Sequence, residues 1–256
     1  MQKFFSILTA AILFFSLNIT YAAQLNNKNY IEVESVYYLQ EGQSLNKARR
    51  AAEILAYRQM AEEIGEIRVT SDSTLKDLEE LHDDIRVNVS KAVSGAKIVS
   101  SDKDADGNFH VVLRLNIFGG TNSLANAIIP QDVEPEDFPP PKFITLDSKY
   151  TGLIVDCSGQ ELSAAVMPKI QSAGGQEIYA AQYLNRQTIV NRGMVGYTDN
   201  ANEGLQRAGN NPLTVKAVKL EKFNSNPVVS LDDSNKILIA NQSDQFLDNC
   251  AVVFVR

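Results

Sequence analysis

Phe109-His110-Val111-Val112-Leu113-Arg114-Leu115-Asn116-Ile117-Phe118 decides how the first half of the chain is read. Val111, Leu113, Leu115 and Ile117 fall on one side of a period-two pattern, with His110, Val112, Arg114 and Asn116 on the other. Such alternation is a strand with one face in a core. Just upstream, Asp106-Gly107 is a turn dipeptide and Ala96 to Ser101 is a second run of strand texture. Together they predict a hairpin.

The segments before the hairpin complete a layer for that buried face. Tyr30 to Leu39 alternates and reads as another strand, broken by Glu41-Gly42. Ser44 is placed to cap a helix. Leu45, Ala48, Ala52, Leu55, Ala56, Met60 and Ile64 follow at three- and four-residue steps on one helical face, and Gly65 is a natural stop. Ile67 to Thr70 is a short strand candidate. Leu75, Leu78, Leu81 and Ile85 mark a second amphipathic helix, running to about Val93 with Gly95 behind it. Asn122 to Ile129 adds a short helix. Residues 30–130 are therefore predicted as a two-layer α/β domain, helices on an antiparallel sheet.

Residues 131–142 (QDVEPEDFPPPK) hold four prolines and four acids, which fit neither a helix nor a sheet interior. They predict an extended linker. Residues 143–256 then read as a strand-rich second domain with short helices, and the whole chain as α+β. The strand candidates are Tyr150–Val155, Glu177–Ala181, Gln187–Val195, Leu213–Leu220, Val228–Leu231, Lys236–Ala240 and Cys250–Val255. Asn210-Asn211-Pro212, Asn224 to Pro227 and Asp232 to Asn235 are turn signals.

Ala48-Arg49-Arg50-Ala51-Ala52 and Ala56-Tyr57-Arg58-Gln59-Met60-Ala61 lie on the first predicted helix. With Val69, Ser71, Ser73-Thr74, Asp77, Gly95 to Val99 and the strand after Asp106-Gly107, they give residues 30–118 a resemblance to the LPP-twenty lipoprotein family. The same residues resemble the related N-terminal domain of flagellar assembly protein T. The resemblance implies a small α/β domain in a bacterial envelope protein of structural rather than enzymatic type. The chain departs from the family in having Leu55 where an acid is common before the alanine matched by Ala56. It also lacks the cysteine of lipid-anchored members. No resemblance is read in residues 143–256.

The N-terminus carries its own instruction. Lys3 precedes a run from Phe4 to Leu17 that is almost wholly apolar, and Thr20-Tyr21-Ala22 is a small-residue cleavage site. Residues 1–22 read as a secretory signal peptide, the run being shorter than the about 20 residues that span a bilayer. The expected protein is exported, periplasmic or secreted, without a lipid anchor and without a membrane span once the signal is removed. Its 24 basic and 31 acidic side chains give a formal net charge of −7, which argues against a nucleic-acid partner. Trp is absent, which weakens a carbohydrate-stacking reading.

Chemically, the chain offers little. Asp102-Lys103-Asp104-Ala105-Asp106-Gly107 copies the first half of an EF-hand loop, but Leu113 stands where the bidentate acid belongs, so a polar hairpin turn is expected instead. Asp156-Cys157-Ser158-Gly159 ends a predicted strand, yet its thiol would need a histidine base, and His82 and His110 both lie in the other domain. No catalytic, cofactor-binding or metal-binding residue is assigned, and no cofactor is expected. Cys157 and Cys250 are the two cysteines, and two readings stand side by side: a disulfide, or two buried free thiols. The bond would make the first and last strands of the second domain antiparallel neighbours.

The leading expectation is a non-enzymatic envelope protein that binds another envelope protein, as an accessory of flagellar or outer-membrane assembly. The alternative is a periplasmic binding module whose second domain takes a small ligand or a cell-wall fragment. A hydrolase built on scattered acids is a third reading. Mass spectrometry of the protein from an exporting bacterial host should show Ala23, or the next residue, as the N-terminus; an intact Met1 would refute the signal.

Overall fold

In the computed structural model, which describes residues 29–131, 133–142 and 149–256, the alternating stretch forms β3 (Phe109–Asn116), the central strand of a three-stranded sheet. The signal segment lies outside the described residues. β1 (Tyr30–Tyr37) and β2 (Lys97–Lys103) flank β3, both antiparallel to it. Val111, Leu113 and Leu115 are fully buried, while His110, Val112 and Arg114 line the opposite face.

α1 (Leu45–Gly65) closes the buried face with Ala48, Ala52, Ala56, Met60 and Ile64. Leu45 and Leu55, assigned to the same face from their spacing, remain exposed. The three alanines carry no bulk, so the helix backbone lies close to the sheet. The buried Ser35 hydroxyl on β1 donates to the Ala52 carbonyl at 2.9 Å. Ser44 occupies the N-cap position in an extended conformation without a side-chain capping bond.

The expected strand at Ile67–Thr70 reduces to one bridge, Arg68 to Thr74. The expected second helix is two, α2 (Leu75–Leu81) and α3 (Asp83–Ser94), separated by the extended backbone of His82. Thr74 and Asp77 form a reciprocal capping box at the start of α2. α4 (Leu124–Ile128) falls within the predicted short helix, capped by Ser123.

The second domain contains two four-stranded sheets. In chain order its elements are β4 (Gly152–Asp156), β5 (Ile170–Ser172), β6 (Glu177–Tyr179), α5 (Arg186–Arg192), β7 (Gly196–Thr198), α6 (Ala201–Ala208), β8 (Pro212–Lys216), β9 (Lys219–Glu221), β10 (Asn226–Val229), α7 (Leu231–Asp244) and β11 (Val252–Val255). One sheet has the order β7-β11-β4-β8 with every pair parallel. The other, β6-β5-β10-β9, is mixed. Parallel neighbours need crossover connections, which α6 and α7 help to supply.

That requirement accounts for the misread segments. Gln187–Val195, predicted as a strand, is largely α5, capped by the Asn185 side chain on the Gln187 and Thr188 amides. Lys236–Ala240, also predicted as a strand, lies inside α7. The predicted turn Asp232–Asn235 is the first turn of that helix, with Ser230 as its cap. α6 had no sequence prediction; Asn200 caps it through the Asn202 amide.

The two domains are joined by more than the linker. Most of their buried residues belong to one continuous core. The Val166 and Met167 amides donate to the Arg68 and Val69 carbonyls at 3.0 and 2.7 Å. Arg186 reaches from α5 to the carbonyls of Asn126 and Ile129 and to the Asn126 side chain. The Gly119 amide donates to the Val190 carbonyl at 2.8 Å. The described residues of the proline-rich segment form no helix or strand and lie along the second domain, where Glu136 donates its amide to the Gln182 carbonyl and Phe138 packs on Tyr183. Among the described residues no helix is long and apolar enough to cross a membrane.

Gly193 packs closely against Phe118 at the junction. Its φ of +72° and ψ of 160° fall in a region essentially reserved for glycine, and a Cβ there would lie 2.8 Å from the Phe118 ring. Gly193→Ala should cost about 1–3 kcal/mol from backbone strain alone. Urea unfolding should show a larger loss in wild type than in a Phe118→Leu background, where the clash is relieved. Equal losses in the two backgrounds would show that the ring does not constrain position 193.

Candidate functional site

The C-terminal end of α5, the edge strand β7, α6 and the end of β3 enclose a cleft of about 560 Å³ at the domain junction. This volume lies within the range of small-ligand sites. Phe118 from the first domain and Tyr197 and Val253 from the second supply apolar wall. Two arginines, Arg192 and Arg207, supply positive charge. Asn29, Thr198, Glu203 and Gln206 complete the polar lining.

Local packing fixes each wall. α6 lies close to β11 because Gly204 faces Val253, where a Cβ would sit 3.0 Å from a valine methyl. That contact belongs to a small cluster of Ile154, Ala208, Val253 and Val255 on the α6 side of the parallel sheet. Tyr197, buried on β7, brackets the Ala165 peptide, accepting from its amide and donating to its carbonyl, each at 3.0 Å. Its ring meets Phe254 edge-on. The Thr198 hydroxyl lies 3.0 Å from a Glu203 carboxylate oxygen.

Arg207 is the most constrained polar group in the cleft. Its Nε donates to the Cys250 carbonyl at 2.9 Å, Nη1 to the Arg192 carbonyl at 2.8 Å, and Nη2 to the Gly193 carbonyl. It therefore ties the end of α5 to α6 and to the residue that leads into β11. Burial lowers its pKa from the ordinary arginine value, and the neighbouring Arg192 charge acts in the same direction. Nothing in the one-dimensional pattern marked Arg192 or Arg207. A basic pair on a seven-residue and an eight-residue helix becomes a pair only when β7 and α6 are assembled.

The candidates read from sequence fall elsewhere. The Asp104 carboxylate turns inward on its own hairpin, accepting from the Asn108 amide at 2.8 Å and from the Asn108 side chain at 3.0 Å. These bonds hold its pKa below the usual aspartate value. Asp156 likewise accepts from the Ser158 amide at 2.9 Å and ends β4 as a turn, its pKa lowered chiefly by hydrogen bonding to Ser158. Neither histidine approaches Cys157: His82 is exposed between α2 and α3, and His110 is on the outer face of β3.

The proposed antiparallel, disulfide-linked pairing of the first and last strands of the second domain is corrected. β4 and β11 are neighbours, but they run parallel, with Leu153 opposite Val252 and Asp156 opposite Val255. Cys157 follows β4 and Cys250 precedes β11, so the parallel register holds them apart by roughly a strand length of 16 Å. Both are free and buried. Desolvation pushes the Cys157 thiol up to about 12 and raises the Cys250 thiol as well.

Residues 152–256 match the family model of Treponema pallidum Tp0624, second domain. The match begins at the first residue of β4 and spans both sheets of the second domain. No curated protein matches the chain.

On the outer face of the first sheet, His110 bridges two acids, with Nδ1 3.2 Å from Glu34 on β1 and Nε2 3.3 Å from Asp104 in the hairpin turn. The Glu34 and Asp104 hydrogen bonds raise its pKa above the ordinary histidine value. The stabilisation is therefore full below the unfolded pKa of about 6.5 and disappears as pH rises through the higher folded value. Thermal melts of wild type and His110→Gln should differ most near about pH 6 and converge by about pH 9. A difference that stays constant over that range would exclude an ionic bridge.

Proposed function

We propose that this is an exported, non-enzymatic binding protein of the bacterial envelope, acting through the junction cleft. The observation that carries this reading is the contrast between the cleft and the reactive groups. The cleft is walled by side chains that bind, namely arginines, amides and aromatic rings. Asp104 and Asp156 are engaged in turns, with Asp104 also contacting His110, while both thiols are free and buried and Cys157 has no histidine beside it. The signal segment supports export. The resemblance of residues 30–118 to the LPP-twenty family and to flagellar assembly protein T supports an envelope role. An accessory of flagellar or outer-membrane assembly is the form of that role the resemblance favours, with another envelope protein as partner.

The alternative reading, a periplasmic module for a small ligand or cell-wall fragment, draws on the same cleft, which is of small-ligand volume. Photo-cross-linking in intact cells tests both. A cross-linker at Gln206, an exposed residue of the cleft, should capture an envelope component. One at Glu62, exposed on the outer side of α1, should not. Equal capture at both positions, or cytoplasmic retention of the chain, would refute the proposal.

A further inference from the structure

Arg192 and Arg207 line one cleft, and among the described residues neither has a carboxylate within ion-pair distance. Three backbone carbonyls satisfy three of the five N–H groups of Arg207, but they do not cancel its unit charge. They do fix the orientation of the guanidinium, so its two remaining N–H groups can be engaged without further loss of side-chain freedom. Arg192, exposed at the end of α5, adds a second positive charge beside it. Two like charges at one partly desolvated site repel, and an anion placed between them converts that repulsion into attraction.

The rest of the lining narrows the anion. Phe118, Tyr197 and Val253 offer apolar wall to a small hydrocarbon body. Gln206 and Asn29 carry amides, which match peptide groups by hydrogen bonding. Glu203 places one negative charge in the same cleft, which disfavours a dianion such as phosphate relative to a monoanion. An arginine fork is also the geometry suited to a planar carboxylate.

We propose that the junction cleft binds the C-terminal carboxylate of a short peptide with small apolar side chains, seated between Arg192 and Arg207. This assignment rests on the reading of the cleft as the binding surface. Calorimetric titration of the mature full chain tests it, with acetyl-alanyl-alanine, the C-terminal amide of that peptide, octanoate and inorganic phosphate as probes. The free acid should bind saturably, and its amide at least about tenfold more weakly, as expected for loss of a charge-assisted hydrogen bond. Arg192→Gln should weaken the acid by about the same factor and leave the melting temperature unchanged, since the side chain is exposed. Arg207 is unsuitable as the test residue because it also holds α5 to β11.

Glu203→Gln should improve phosphate binding relative to wild type. Octanoate binding as tightly as the peptide acid would overturn the peptide assignment. So would phosphate binding more tightly than the acid, or an Arg192→Gln protein indistinguishable from wild type. Failure of all four probes at millimolar concentration would overturn the ligand class. Specific cross-linking at Gln206 would in that case leave the cleft itself standing as a binding surface.

Discussion

The parallel pairing of β11 with β4 is the constraint on which the second domain depends. Among the described residues, the last strand of the chain lies between β7 and β4, so without it the parallel sheet falls into two parts. Val252, Val253, Phe254 and Val255 are all buried. Burial of each such side chain contributes roughly 1.5–3 kcal/mol, much of the stability of a typical domain. Val252 and Phe254 join the core shared with the first domain, while Val253 and Val255 face α6. One four-residue strand thereby connects both layers. The pairing links residues about a hundred positions apart, so it carries a loop-closure entropy cost that local pairings do not.

The cleft follows from that pairing. Val253 sets the depth at which α6 rests through Gly204, and the Cys250 carbonyl anchors Arg207 just before β11 begins. Arg207 then reaches the last carbonyls of α5, where a positive charge is favoured by the helix dipole. Phe118 of the first domain lies against Gly193 on the same side. The positive lining is therefore structural at one end and available at the other: Arg207 ties α5 and α6 to the approach to β11, while Arg192, exposed, lines the cleft.

The first domain was legible because its pattern is local and repetitive. The period-two alternation of β3 and the small-residue face of α1 each span enough residues to separate helix from strand. Shorter elements were not separable in that way. Lys236-Ile237-Leu238-Ile239-Ala240 is a run of strand-like composition that forms part of α7, since Ser230 caps a helix before it and the run is buried on one side only. Gln187 to Arg192 met the same fate after the Asn185 cap. In both places a capping residue carried more information than the apolar run behind it. The candidate cleft was not legible at all, because its charged walls come from positions 192 and 207, whose proximity depends on the order of strands.

By itself, the sequence determined the α+β class, the antiparallel sheet with its covering helix, and the position of the proline-rich segment, since each follows from composition or periodicity within a few neighbouring residues. It also placed Cys157 and Cys250 beside two core strands, but it made those strands neighbours only through a disulfide that the structure does not contain. Only the tertiary structure decided that the strands run parallel, which holds the two thiols apart instead of joining them. It alone decided that the two domains share one core and enclose a cleft. Apolar alternation is identical for a strand run in either direction, so direction is set by the crossover helices and the pairing partners, and those are properties of the whole fold.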